Sequence, residues 1–220
     1  MNAVTPGVGT VAIFGGTFDP IHFGHLRCAL ELLESLDLAQ LRFMPAREPP
    51  HRAVPGVSAD HRAAMVERAI EGESRFVCDR RELQRAGPSY TVDSLEQLRQ
   101  ELGDQRGLCL VMGCDAFLGL PSWHRWESLL HLAHLVVMAR PGWELPSSGP
   151  VGALLREHGA DAQDLRRAPA GNIVIQTLRQ QDISATNIRA LLQSGFSARY
   201  LLPENVLAYI AERGLYAKQE

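Results

Sequence analysis

Residues 11–26 read VAIFGGTFDPIHFGHL. Val11-Ala12-Ile13-Phe14 is a short apolar run with β-branched and aromatic side chains, the pattern of a parallel strand buried on both faces. The run breaks at Gly15-Gly16, crosses Thr17-Phe18-Asp19-Pro20 and enters an apolar-periodic stretch from about Gly24. A strand, a glycine turn and a helix start leave free backbone N–H groups and the positive end of a helix dipole beside whatever binds there. Glycines at the turn let the main chain approach a phosphate or a purine without a Cβ in the way. His22-Phe23-Gly24-His25 sets two imidazoles three residues apart at the helix start, where they can point to the same side. Gly24 leaves space between them where a side chain would block a ligand. No Lys-Ser/Thr follows the glycines and the third glycine is misplaced, so neither a Walker A loop nor a GxGxxG fingerprint is present. A strand followed by Gly-Gly is as often a plain structural turn, but two histidines flanking a glycine after it are hard to account for as packing. The stretch predicts a polyphosphate held by backbone amides and two histidines.

Outward from this stretch, short apolar runs at 41–44, 75–78, 108–112, 134–139 and 172–177 read as further strands. Helical spacing marks 26–38, a segment from Ser58 or Asp60 to about 71, 92–102 with Ser89 or Thr91 as its cap, 184–192 and 204–213. A helical turn is expected over 117–120 and a helix over 121–132; residues 46–57 and 79–87 read as a proline-rich and a charged loop. Strands alternating with helices predict a doubly wound parallel α/β sheet, Rossmann-like, with residues 1–220 as a single domain. The composition of 143–171 shifts to Pro, Gly, Ser and charge, which reads as a surface excursion with a helical piece near 151–158. The glycine-bearing loops after the first and fourth strands fall at the carboxyl edge, where such sheets bind ligands.

Composition excludes several classes. Of 220 residues, 45% are hydrophobic and 21% charged, ordinary for a globular protein. A net charge of −3 argues against a partner made of nucleic acid. Cys28, Cys78, Cys109 and Cys114 have neither CxxC nor metal-ligand spacing, so no disulfide scaffold or zinc site is expected. No run reaches membrane-spanning length and residues 1–10 lack the features of a signal peptide, so no membrane partner and a cytoplasmic location are expected. Trp126, Trp143, His131, His134 and His158 read as packing or surface residues, and Arg80-Arg81 as a solvated charge pair.

A second sharp feature is Asp182-Ile183-Ser184-Ala185-Thr186-Asn187-Ile188-Arg189. Hydroxyls at a helix start with a guanidinium one turn later suit the outer phosphates of a nucleoside triphosphate. Alone, Ser-x-Thr here is no more than a helix cap. Together with the first stretch, however, it resembles the two signatures of the nucleotidyltransferase superfamily with an HxGH site. Three further motifs, Pro49-Pro50-His51-Arg52, Pro88-Ser89-Tyr90-Thr91 and Leu120-Pro121-Ser122-Trp123-His124-Arg125-Trp126, are similar to those of bacterial nicotinate-nucleotide adenylyltransferases. The resemblance runs in matching order from Val11 to Tyr216, apart from 143–171.

That resemblance implies a nucleotidyltransferase fold and transfer of AMP from ATP to nicotinate mononucleotide, with release of pyrophosphate. It puts Gly15, Gly16, Thr17, Phe18 and Gly24 in the ATP site, His22 and His25 on the phosphates, Gly113 and Asp115 at the adenosine end, and Ser184, Thr186 and Arg189 on the triphosphate. Catalytic roles fall to His22, His25 and Arg189. Thr91 and Tyr90 would bind the nicotinate end, Trp123 would stack on the pyridine ring, His124 would line the same pocket, and Arg52 would meet the mononucleotide phosphate. Mg²⁺ is the implied cofactor, held mainly by the ATP phosphates and not by a protein metal site. Two positions depart from the family pattern: His124 stands where tyrosine is frequent, and Ala185 where serine is usual. The sequence holds no convincing nucleophile–base pair and the acceptor phosphate is already an anion, so a direct in-line displacement is expected. Other acceptors, such as nicotinamide mononucleotide or phosphopantetheine, and an ATP-binding module without turnover remain as competing readings.

Overall fold

The run 11–14 becomes the middle of a sheet because its four side chains are all buried, two on each face. The computed structural model describes residues 9–48, 56–179 and 181–217. Among these, six strands form one sheet: β1 (Val11–Gly16), β2 (Gln40–Pro45), β3 (Phe76–Cys78), β4 (Leu108–Gly113), β5 (His134–Ala139) and β6 (Ile173–Thr177). Their order is β3-β2-β1-β4-β5-β6 and every pairing is parallel, with Phe14 opposite Phe43 on one side and Val111 on the other. This is the doubly wound arrangement that the alternation of strands and helices predicts, and its switch point lies between β1 and β4.

The helices are α1 (Phe23–Ser35), α2 (Ala59–Ala69), α3 (Arg81–Gln84), α4 (Thr91–Leu102), α5 (Cys114–Leu118), α6 (Leu129–Leu132), α7 (Gly149–His158), α8 (Ala185–Gln193) and α9 (Glu204–Glu212). Period-two alternation along the strands splits the core in two. Ala12 and Phe14 join Leu32 and Leu33 of α1, Val66 of α2, Ile188 of α8 and Val206 of α9. Val11 and Ile13 join Leu95 of α4, Phe117 of α5, Leu129 of α6 and Val151 of α7.

Several expectations need correction. The helix expected over 121–132 is broken into two 3₁₀ turns, Leu120–Ser122 and Trp126–Ser128, followed by α6. Trp123 is extended and Arg125 takes a left-handed φ of 51°, which interrupts the helical ladder; its guanidinium holds Glu96 at 2.8 Å. Neither Ser89 nor Thr91 caps α4: Tyr90 stands at that position without a side-chain cap. Ser89 Oγ is engaged instead by the backbone N–H of Arg47, at 3.1 Å. The charged loop at 79–87 contains α3, whose Glu82 is buried and accepts from Ser94 Oγ at 2.8 Å. Arg80 and Arg81 are not simply solvated, since Arg81 donates to Asp79 at 2.6 Å and Glu101 at 2.7 Å, and Arg80 to Glu67 at 2.7 Å.

The stretch 143–171 has a surface composition, yet it sends Val151 into one core and Leu165 into the other. His134, fully buried at the start of β5, ties down its far end: Nδ1 accepts from Asn172 N–H at 3.1 Å and Nε2 meets the Ala168 carbonyl at 2.9 Å. No described helix is long and apolar enough to cross a membrane.

Candidate active site

Gly15-Gly16 and Gly113 end neighbouring strands at the switch point, where crossovers diverge and leave a crevice. A Cβ at Gly15 or Gly113 would meet nothing within 4 Å, so main chain faces open space on both sides of that crevice. Gly16 has a different reason: a Cβ there would lie 2.8 Å from the Phe18 ring. Phe18 has a left-handed φ of 49° and packs its ring against Phe14 and Phe43, each at 5.8 Å. Its side chain therefore belongs to the core, and of Phe18 only the main chain borders the crevice.

His22 is the N-cap residue of α1, with extended backbone, and is 6% exposed. Its ring stacks on that of His25 at 3.7 Å, and its backbone N–H donates to His25 Nδ1 at 3.3 Å. That bond leaves Nε2 to carry the proton of a neutral His25. The rings of Phe14 and Phe18 stand edge-on to His25 at 6.1 and 5.2 Å and fix its plane. The space over Gly24 is not left for a ligand as expected: a Cβ there would lie 3.0 Å from the His22 ring, so the glycine is where that ring folds back. Burial lowers the His22 pKa to about 4, so the imidazole is neutral at pH 7. Its Nδ1 is buried and has no hydrogen-bond partner among the described residues.

The second motif joins the first. The Ile183 carbonyl lies 3.6 Å from where a Gly24 Cβ would stand. Ser184 caps α8, its Oγ accepting from Asn187 N–H at 3.1 Å, so the capping role of this serine is real and its own O–H is left to donate. Arg189 Nη1 donates to the Asp19 carbonyl at 2.6 Å and lies 3.9 Å from Asp19 Oδ2, while Nη2 is 3.4 Å from Thr186 Oγ1. A glycine turn near the start of the chain and a helix start 170 residues later thus share one place.

Arg62 of α2 is a residue the sequence reading missed. It is 1% exposed and its guanidinium donates to the carbonyls of Thr17 at 2.6 Å, Ala46 at 2.7 Å, Arg47 at 3.2 Å and Val57 at 3.3 Å. Burial lowers its pKa from the usual arginine range, and the nearby Asp19 carboxylate opposes that shift.

At the start of α4, the Tyr90 ring lies against His124 at 4.5 Å, and Thr91 is the first residue of the helix. Tyr90 and Trp123 are both half-buried against the core on that face, as are Trp126 and Trp143. Arg62 links this group to the glycine turn: it holds Thr17 and Arg47 together, and the Arg47 N–H in turn holds Ser89, next to Tyr90. Asp115 is exposed in the first turn of α5. Arg52, with Pro49, Pro50 and His51, lies outside the described residues. A cleft of about 800 Å³ adjoins Arg189, His61, Gln193 and Tyr216, but neither the histidine pair nor the glycine turn lines it. Among the described residues no three His, Cys, Asp or Glu side chains come together as a metal site.

Comparison with known proteins points the same way. The cytidylyltransferase-like family model matches residues 13–191. The chain is 50% identical over 207 residues to a Cellvibrio japonicus protein named "Probable nicotinate-nucleotide adenylyltransferase", covering 94% of this chain and 98% of that one. It is 47% identical over 208 residues to a Hahella chejuensis protein of the same name, covering 94% and 95%. Among solved structures it resembles a Plasmodium falciparum nicotinic acid mononucleotide adenylyltransferase complexed with NaAD, with a TM-score of 0.69, covering 94% of this chain and 97% of that one. At 17% identity this last likeness is one of fold.

Proposed function

We propose that this chain, which belongs to the cytidylyltransferase-like family, is a nicotinate-nucleotide adenylyltransferase. It moves AMP from ATP to nicotinate mononucleotide, forming nicotinate adenine dinucleotide and pyrophosphate. The observation that carries the site assignment is the contact between the two motifs, Arg189 on Asp19 and Ile183 over Gly24, beside a stacked histidine pair at the switch point.

In this reading the ATP triphosphate lies across the N-termini of α1 and α8, where the helix dipoles favour an anion. Gly15, Gly16 and Thr17 offer main chain along the nucleotide, and Gly113 and Asp115 flank the adenosine end. Arg189, Ser184 and Thr186 hold the outer phosphates. His25 donates from Nε2, and the His22 ring, stacked on it at 3.7 Å, stands beside the same phosphates. His22 acts as a neutral hydrogen-bonding group in the free protein, so the fixed positive charge of the site comes from Arg189 and the helix ends. A divalent cation, Mg²⁺ in this reading, would enter with ATP as part of the substrate and would offset the phosphate charge, with no cluster of protein ligands among the described residues to hold it.

The acceptor phosphate is an anion at pH 7 and needs no base. One of its oxygens attacks the α-phosphorus, the bond from that phosphorus to the bridging oxygen breaks, and pyrophosphate leaves with the electron pair. The protein contributes alignment and charge stabilisation. The nicotinate carboxylate meets the N-terminus of α4 at Thr91, with Tyr90, His124 and Trp123 around the pyridine ring and Arg52 on the mononucleotide phosphate. The whole chain is read as one nucleotidyltransferase domain working in the cytoplasm, where four unpaired cysteines are at home.

Given ATP, Mg²⁺ and nicotinate mononucleotide, the protein forms dinucleotide and pyrophosphate in equal amounts, with inversion at a chirally labelled α-phosphorus. ATP binding without turnover would leave a binding module, and retention would require a covalent intermediate.

A further inference from the structure

Asp19 sits in the glycine turn, 6% exposed, between partners from distant parts of the chain. Its main-chain carbonyl accepts from Arg189 Nη1 at 2.6 Å, whereas its carboxylate stays 3.9 Å from the same guanidinium. Its Oδ1 accepts a short hydrogen bond from the hydroxyl of Tyr216, in the segment after α9. Tyr216 has a left-handed φ of 58°, a conformation that costs a non-glycine residue about 1–3 kcal/mol and persists where the surroundings demand it.

An aspartate next to an arginine ordinarily swings into a bidentate ion pair, which uses up two N–H groups and neutralises the guanidinium. Here the phenol engages Oδ1 and Arg189 is held by the neutral carbonyl, so the ion pair between Arg189 and Oδ2 stays long, at 3.9 Å. We propose that Tyr216 is a positioning residue for adenylyl transfer: by occupying the Asp19 carboxylate it keeps Arg189 turned toward the triphosphate. The inference rests on the assignment of Arg189 to the ATP phosphates made above. It gives the segment after α9 a part in the reaction without any contact to substrate.

The test is a double-mutant cycle between Tyr216→Phe and Arg189→Ala, with steady-state kinetics for each substrate. Phenylalanine keeps the ring that packs against the core and removes only the hydroxyl. The expected result for Tyr216→Phe is a roughly five- to twentyfold fall in kcat/KM for ATP, with KM for nicotinate mononucleotide unchanged within about twofold. In the Arg189→Ala background, and in an Asp19→Asn background where there is no charge left to restrain, the same substitution is silent. An equal fall in all backgrounds, or parallel losses for both substrates, would show a purely structural tyrosine and overturn the inference. Wild-type kinetics for Tyr216→Phe would overturn it as well. If Arg189→Ala alone leaves ATP kinetics untouched, the assignment of Arg189 fails, and this inference with it.

Discussion

His22 shows how burial decides what a histidine can do. Its folded pKa of about 4 lies below the unfolded value of 6.5, so between these pH values the unfolded chain binds more protons than the folded one. Stability contributed by the neutral ring is present above pH 6.5 and is lost as the pH falls toward 4. Acidification from pH 7.5 to 4.5 is expected to cost about 2–3 kcal/mol through this one residue. Urea midpoints of the wild type and of His22→Asn at the two pH values give the number as a difference of differences. Equal acid losses in the two proteins would mean that some other group titrates. The histidine pair and Arg189 are legible in the sequence because packing alone seldom sets such side chains at two helix starts. Arg62 is not. It falls on one helical stripe with Val66 and Ile70, and a charge on an apolar stripe is a usable signal. Its four partners are loop carbonyls, however, and a main-chain acceptor leaves no trace in side-chain identity.

The elements around the proposed acceptor pocket are less legible than those around the proposed phosphate site. The helix expected over 121–132 opens at Pro121-Ser122-Trp123, yet Arg125 turns left-handed within it. The break sets Trp123 in extended backbone, half-buried at the edge of the core, and the proposed reading stacks the pyridine ring on it. Trp123→Ala is therefore expected to raise KM for nicotinate mononucleotide roughly tenfold, from an aromatic stacking loss of about 1–1.5 kcal/mol. KM for ATP stays unchanged, and initial-rate kinetics with each substrate varied in turn check both. A rise in the ATP constant alone would move Trp123 out of the acceptor pocket. The cap of α4 misleads for a related reason: Ser89 is a good capping residue, but Arg47 competes for its hydroxyl across 42 residues of sequence. Local propensity predicts who can cap; tertiary contact decides who does.

For the whole molecule, the sequence anticipates strand order only as a class. Alternating runs imply parallel pairing, and the order β3-β2-β1-β4-β5-β6 then puts the glycine turn of β1 beside the end of β4. Both ends keep the switch point open, since Gly15 and Gly113 face no neighbour. The stretch 143–171 is the least legible because only Val151, Gly152 and Leu165 of it are buried, too few to make a periodic pattern. Family membership accounts for the chemistry in general, since the cytidylyltransferase-like match reaches from the first motif into the second. In the proposed reading the choice of acceptor is made at the N-terminus of α4, which would favour a carboxylate over a neutral amide by about 0.3–1 kcal/mol from the helix dipole, and further through direct hydrogen bonds. Pyrophosphate release from ATP and Mg²⁺, with nicotinate mononucleotide, nicotinamide mononucleotide and phosphopantetheine offered in parallel, measures that choice. A kcat/KM for nicotinate mononucleotide at least about tenfold above either alternative is the expected result. Equal or greater turnover of nicotinamide mononucleotide or phosphopantetheine would contradict it.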